Sequence, residues 1–193
     1  MIIDMHMHEM RYSGDSFLRL ENMVEIAKRR GLDGICITDH DSMGLKEFAA
    51  EYSEKTGFPI FVGIEFYSLQ GDIVAFGIED YPKERIPAQE FVDLVQAQGG
   101  VCFAAHPFRN NNRGLEENLK IVKGLDGIEV LNGSTLYEAN RKAAEYAAEL
   151  GLATVGSSDC HVPEKLGLYA TYFPREIRSV QELIRSVKRC ETL

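Results

Sequence analysis

No stretch of this 193-residue chain is apolar for anything near the ~20 residues that a bilayer-spanning helix requires, so such a segment is not expected. The start also lacks the basic, apolar and small-residue succession of a secretory leader, because a histidine pair stands within eight residues of Met1. A cytoplasmic location without membrane attachment is the expectation. Positive charge is scarce as well: 21 Lys and Arg face 30 Asp and Glu, leaving a formal charge of −9. Nonspecific nucleic-acid binding is dominated by cationic side chains that neutralise the backbone, so no broad nucleic-acid surface is expected, and a small phosphorylated substrate fits better. Nothing in the pattern specifies an oligomeric state.

Paired cysteines are missing too. Cys36, Cys102, Cys160 and Cys190 lie far apart, without the spacing of a zinc knuckle or a redox motif, and read as inert thiols. Cys160 stands between Asp159 and His161, where alternation in an extended segment turns it to the opposite face, toward packing. There is no internal repeat, low-complexity tract or long linker, and residues 1–193 are expected to form a single domain. Asn110 to Arg113 reads as a polar loop.

What is present is strand–helix alternation. Met1 to Asp4, Gly34 to Thr38, Ile60 to Gly63, Ile73 to Phe76, Val101 to Ala105, Gly127 to Val130 and Thr154 to Gly156 are short apolar runs flanked by Gly, Asp or Pro, as strands buried on both faces are. Helical spacing links Phe17, Leu20, Val24 and Ala27, then Leu136, Ala139, Ala143, Ala147 and Leu150, and finally Val180, Leu183, Ile184 and Val187. These stripes predict core-facing helix sides. The alternation implies a largely parallel sheet, open or closed into a barrel.

Five histidines choose between the two. His6, His8, His40, His106 and His161 each stand beside an acid or within two residues of another histidine, or, for His106, directly after an apolar run. All fall where strand-like runs end. With Glu65 and Asp159 they follow at least five separate strands, which a barrel mouth focuses on one point more easily than a flat sheet. In Asp4-Met5-His6-Met7-His8 the two imidazoles share a face ~6–7 Å apart along the backbone, close enough to share one cation, with Asp4 placed to orient them. Glu65, after Phe61-Val62-Gly63-Ile64, is a carboxylate at the end of an apolar run and has to be paired, protonated or coordinated. Together these residues point to a metal cluster.

The blocks Asp4-Met5-His6-Met7-His8, Ile37-Thr38-Asp39-His40-Asp41, Gly63-Ile64-Glu65, Ala105-His106-Pro107-Phe108-Arg109, Gly127-Ile128-Glu129-Val130-Leu131-Asn132 and Gly156-Ser157-Ser158-Asp159-Cys160-His161 resemble, in this order, a PHP (polymerase and histidinol phosphatase) domain. The resemblance implies a distorted (βα)7 barrel and metal-dependent phosphoesterase activity, with two or three divalent metal ions (Mn, Zn or Fe). By position it implies one metal on His6, His8, Glu65 and Asp159, a second on Glu65 and His106, and a third on His40, His161 and Asp15. Asp72 stands where family members commonly carry a histidine, and is a candidate ligand for the second metal.

The chemistry so implied is attack on phosphorus by a hydroxide activated at the Glu65-linked metals, with the third metal, on His40 and His161, binding the departing or a nonbridging oxygen. Arg109, three residues past His106, is the candidate phosphate clamp, and Asn132 a weaker substrate contact. The substrate class would be a small phosphomonoester or a nucleotide-like phosphate. Two other readings are a metal-dependent amidohydrolase, which would ordinarily place a lysine at a strand end, and a noncatalytic metal-binding accessory domain.

Overall fold

The computed structural model describes residues 1–192. The apolar runs form strands β1 (Ile2–Asp4), β2 (Gly34–Ile37), β3 (Ile60–Val62), β4 (Ile64–Tyr67), β5 (Asp72–Phe76), β6 (Val101–Ala104), β7 (Gly127–Asn132), β8 (Ala153–Ser157) and β9 (Thr171–Tyr172). The helices are α1 (Leu20–Arg29), α2 (Lys46–Thr56), α3 (Ala88–Ala97), α4 (Tyr137–Leu150) and α5 (Val180–Lys188), with a 3₁₀ turn over Glu116–Lys120. No helix among the described residues is long and apolar enough to cross a membrane.

The expected (βα)7 barrel does not form: the strands make two sheets, ordered β3-β2-β1-β9 and β4-β5-β6-β7-β8, and no closed barrel is present among the described residues. Their edges come together at two isolated parallel bridges, Met7 to Cys160 and His40 to Glu65, and between β8 and β9, where Thr171 Oγ1 accepts from the Gly156 amide (2.9 Å). Strand direction explains the departure. β4 and β5 are joined through Ser68–Gly71, too short for a crossover helix, and therefore pair antiparallel, as do β5 with β6 and β1 with β9. The β1–β2–β3 and β6–β7–β8 ladders are parallel, as the alternation predicts.

The predicted strand ending at Gly63 is in fact the place where the chain changes sheets. A side chain at Gly63 would put its Cβ 2.4 Å from the Ala75 carbonyl oxygen and 2.6 Å from the Phe76 ring. Only glycine permits that approach of β5. The Gly63 amide still donates to Ile37 (2.9 Å), and the Glu65 amide to the Asp39 carbonyl (3.2 Å), so the extension of β2 guides the chain into β4. Glu65 consequently sits inside a strand, opposite Val74, instead of following one.

Ile3, Phe61, Phe76, Phe103, Val155 and Phe173 fill the space between the sheets. Along α1, Leu20, Met23, Val24 and Ala27 are buried as the stripe predicts. Phe17 and Leu136 depart from it: they precede α1 and α4 and are each 75% exposed. Antiparallel β5 has a consequence for the site. Its first residue, Asp72, lies at the same end as the exit of β6, where the Ala105 amide donates to the Asp72 carbonyl (3.2 Å).

Candidate metal centre

Beyond β1 the chain stays extended, and alternation sorts its side chains. Met5 and Met7 enter the core, while His6 and His8, equally buried, turn to the other side. The segment from Asp159 to His161 runs beside it: the Asp159 amide donates to the His6 carbonyl (2.9 Å), and the His8 amide to the Cys160 carbonyl (3.2 Å). Cys160 is buried among Met7, Leu18 and Leu166, in packing. Asp41, His106 and Asp159 have φ of 49°, 28° and 48°, a left-handed conformation costly to residues other than glycine. Such backbone strain clusters at functional sites, where surrounding contacts hold it in place.

All nine candidate ligands come together around Glu65. Its carboxylate lies 3.3 Å from His6 Nε2, 3.6 Å from His8 Nε2, 2.9 Å from His106 Nε2 and 2.7 Å from His40 Nδ1. His8 Nε2 is 3.1 Å from both His6 Nε2 and Asp159 Oδ1. On the solvent side, Asp15 Oδ2 lies 3.2 Å from His40 Nε2 and 3.3 Å from His161 Nε2, and both rings stand 4.2 Å from the His8 ring. Glu65, Asp72 and His106 present a further compact group, with Asp72 Oδ2 3.7 Å from His106 Nε2.

Orientation of the rings comes from residues the motif reading left without a role. Glu129 is buried on β7, where Oε1 accepts from His6 Nδ1 (3.1 Å) and Oε2 from the His106 amide (2.6 Å). Ser13 does the same for His8: its Oγ accepts from Nδ1 (3.2 Å) and donates to Asp39 Oδ1 (2.8 Å). Donation from Nδ1 leaves the Nε2 lone pairs of His6 and His8 aimed at Glu65. Asp4, expected to orient the histidines, instead accepts from the Ser158 and Gly167 amides (2.9 Å each), anchoring the loop that carries Asp159.

Arg109 and Asn132 form one network. Arg109 donates to Asp159, to Asn132 Oδ1 (2.7 Å) and to Thr135 Oγ1 (3.0 Å). Asn132 is fully buried, and its amide also donates to Glu129 (2.9 Å) and Asp159 (3.2 Å). With both ends of its amide engaged, Asn132 braces the carboxylates of Glu129 and Asp159. Arg109 is 19% exposed, at the boundary between this network and solvent.

Four buried carboxylates, Glu65, Asp72, Glu129 and Asp159, concentrate negative charge that must be balanced. Burial works against the charged form of Glu65 and Asp159, yet their histidine neighbours hold both well below the usual carboxylate range. Burial likewise opposes charge on His6, but Asp159, Glu65 and Glu129 hold it well above the usual imidazole range. Burial lowers His8 to about 4, so that ring is neutral and a competent ligand. Glu65 Oε2 and His40 Nδ1 are buried without a hydrogen-bond partner, close together but misaligned for a bond to each other. Unpartnered lone pairs, mixed N and O donors and excess buried negative charge fit divalent cations.

Replacing Glu129 by Gln leaves the packing intact but removes the charge that holds the His6 and His106 groups. Outer partners of this kind are worth ~10–100-fold in metal affinity or activity. Glu129→Gln is expected to weaken Mn²⁺ binding within that range, read by calorimetric titration. Unchanged binding would show that Glu129 only packs.

Known proteins resemble the chain in sequence and in fold. Residues 137–192 match the family model described as PHP-associated. MJ1587 of Methanocaldococcus jannaschii, an uncharacterized protein, is 29% identical over 140 residues, covering 67% of this chain and 80% of its own length. A candidate metal-dependent phosphoesterase from Bifidobacterium adolescentis superposes with a TM-score of 0.74 at 20% identity, covering 97% of this chain and 96% of that one. Endonuclease Q of Pyrococcus furiosus, a lesion-specific endonuclease, superposes at 0.73 with 17% identity over 97% of this chain but only 56% of its own. Endonuclease Q has also been solved with a 27-mer duplex carrying an abasic lesion at the active site (TM-score 0.73, 16% identity, 98% of this chain and 57% of that one).

The duplex complex overturns the expectation of a small phosphorylated substrate without a nucleic-acid surface, since a protein that superposes on this chain has been solved with DNA at its active site. Net charge sums over the whole surface, whereas binding responds to the local field. Here the most concentrated acids are buried in the cluster, while Arg109, Arg113 and Lys165 stand around it.

Proposed function

We propose that the chain is a metal-dependent phosphoesterase of the PHP kind whose substrate is a phosphoester in a nucleic-acid strand or a nucleotide. The observation that carries this reading is the convergence of four histidines on one buried carboxylate, Glu65, with Asp159, Asp72 and Asp15 around them. Two or three Mn, Zn or Fe ions held by His6, His8, Asp15, His40, Glu65, Asp72, His106, Asp159 and His161 would activate water and draw charge from the phosphoryl oxygens.

The chain's own residues divide the remaining work. Glu65 is shared between neighbouring groups and fixes their separation. Glu129 and Ser13 hold the Nδ1 protons of His6 and His8, keeping Nε2 available. His40 and His161 are each about a quarter exposed and would be the histidines that substrate meets first, near the departing or a nonbridging oxygen. Arg109 offers the guanidinium that suits a phosphate, already positioned by Asp159, Asn132 and Thr135.

Room for the rest of the substrate lies beside Arg109, in a cavity of about 660 Å³ lined by Phe108, Thr135, Leu136 and Lys142 among others. Phe17, whose amide donates to the His161 carbonyl (2.8 Å), Leu136 and Tyr137 present exposed apolar surface near the same mouth. Exposed rings at such a mouth suit the stacking of unpaired bases. The test is Mn²⁺-dependent hydrolysis across single-stranded, duplex, abasic and terminally phosphorylated oligonucleotides, with nucleotides alongside. Turnover of at least one nucleic-acid or nucleotide phosphoester is expected. A protein that holds its cations and hydrolyses none of them would contradict the proposal.

A further inference from the structure

Asp72, like Asp159 with Arg109, carries an arginine partner, but here both carboxylate oxygens are held. Arg113 grips it with the fork of its guanidinium, Nε donating to Oδ2 (2.6 Å) and Nη2 to Oδ1 (2.9 Å), while the carboxylate is fully buried. The grip is built into the backbone. The Asp72 amide donates to the Arg113 carbonyl (2.7 Å), and a Cβ on the preceding Gly71 would lie 2.8 Å from that oxygen and 2.6 Å from the Gly114 carbonyl carbon. Glycine at 71 is what lets the loop lie against β5.

The guanidinium is held from a third side by Tyr67, with its Cζ 4.4 Å from the ring centroid, and Arg85 stacks on the same ring at 3.6 Å. Arg85 is itself tied to the Ser68 carbonyl (2.7 Å). A side chain pinned by ring, carboxylate and backbone keeps a fixed positive charge beside Asp72, and Asp72 in turn lies beside His106 and Glu65. A fixed charge of that sign repels an incoming cation and occupies lone pairs on both Asp72 oxygens.

We propose that Arg113 is a resident counter-ion that lowers the affinity of the Glu65–Asp72–His106 group for a divalent cation, making it the weakest of the three groups to fill. The proposal rests on the metal reading above. It treats Arg113 as a positioning residue, and a purely structural role would not produce tighter binding when the side chain is removed.

Calorimetric titration of the metal-stripped full chain with Mn²⁺ tests it. The wild type is expected to show a weak step that Asp72→Asn abolishes, and Arg113→Gln to tighten that step by about tenfold. Arg113→Lys, which retains the charge but can neither fork over both oxygens nor stack on Tyr67 in the same way, should tighten the step by less than Arg113→Gln does. Tyr67→Leu frees the guanidinium while keeping the loop sequence, and should tighten the step in the same direction, which covers an Arg113→Gln protein that fails to fold. A weak step that is absent from the wild type, or unchanged or weaker without Arg113, overturns the proposal. Absence of any Mn²⁺ uptake by the wild type overturns the metal reading with it, and the two failures are thereby told apart.

Discussion

Glu65→Gln is expected to reduce phosphoester hydrolysis by about 1,000-fold or more and to lower the amount of metal the protein retains. The carboxylate lies within 3.6 Å of nitrogens from His6, His8, His40 and His106, at shorter range than Asp159, whose own four histidine contacts reach 3.9 Å. The amide matches its shape but loses the negative charge and presents N–H groups to the imidazoles. Metal-assisted stabilisation is worth several kcal/mol in the transition state, and ~4 kcal/mol corresponds to ~1,000-fold in rate. Steady-state rates with bound metal measured on the same sample check this. Wild-type turnover in the variant would remove Glu65 from the chemistry.

Removal of metal is expected to lower thermal stability by about 10 °C near neutral pH. A cation present at ~1,000 times its dissociation constant stabilises the folded state by ~4 kcal/mol, and 1 kcal/mol moves the midpoint by ~2–4 °C in a chain of this size. The pH dependence follows from the histidines. Burial disfavours charge on His40, but Glu65 and Asp15 raise it from 6.5 to about 9, and His6 is held well above 6.5 in the same sense. In the stripped protein their contribution is fully present below pH 6.5 and is lost as pH rises through the raised values.

The stripped protein should therefore lose stability between about pH 6.5 and 9. Glu65 and Asp159 act oppositely, with lowered values whose contribution is present above the ordinary carboxylate range and lost as pH falls through the folded ones. Protons and cations compete for the same lone pairs, so metal affinity rises with pH. The difference in midpoint between loaded and stripped protein should widen from pH 6.5 to 9, read by scanning calorimetry. A difference that stays constant or narrows would mean that these histidines do not exchange protons for metal.

The ligand-bearing motifs were legible in the sequence because a histidine or carboxylate at the edge of an apolar run announces itself by cost alone. Glu129 gives the same signal within Gly127-Ile128-Glu129-Val130, yet its task, holding His6 Nδ1, depends on a residue more than 120 positions away. Asn132 reads as a contact for substrate, but folding spends its amide on Arg109, Glu129 and Asp159. Arg113 sits in a stretch that reads only as a polar loop, and nothing local shows that its side chain returns to β5.

The direction of the strands is less legible than their positions. Strand positions follow local composition, whereas the antiparallel direction of β5 and the sheet change at Gly63 depend on long-range pairing. The helix α2 buries only Ala49 among its eleven residues, leaving little apolar period to read. Phe17 and Leu136 fit helical spacing because they lie three residues and one residue before real helices, yet both stay outside them and exposed.

On the proposed function, phosphoester hydrolysis depends on cations held around Glu65. Adding Mn²⁺ in increments to the stripped protein and measuring, at each step, both bound metal and cleavage of an oligonucleotide phosphoester tests that dependence. Hydrolysis should be absent without metal and should rise with occupancy. Hydrolysis that persists in the fully stripped protein, or a fully loaded protein that cleaves no phosphoester, would contradict the claim.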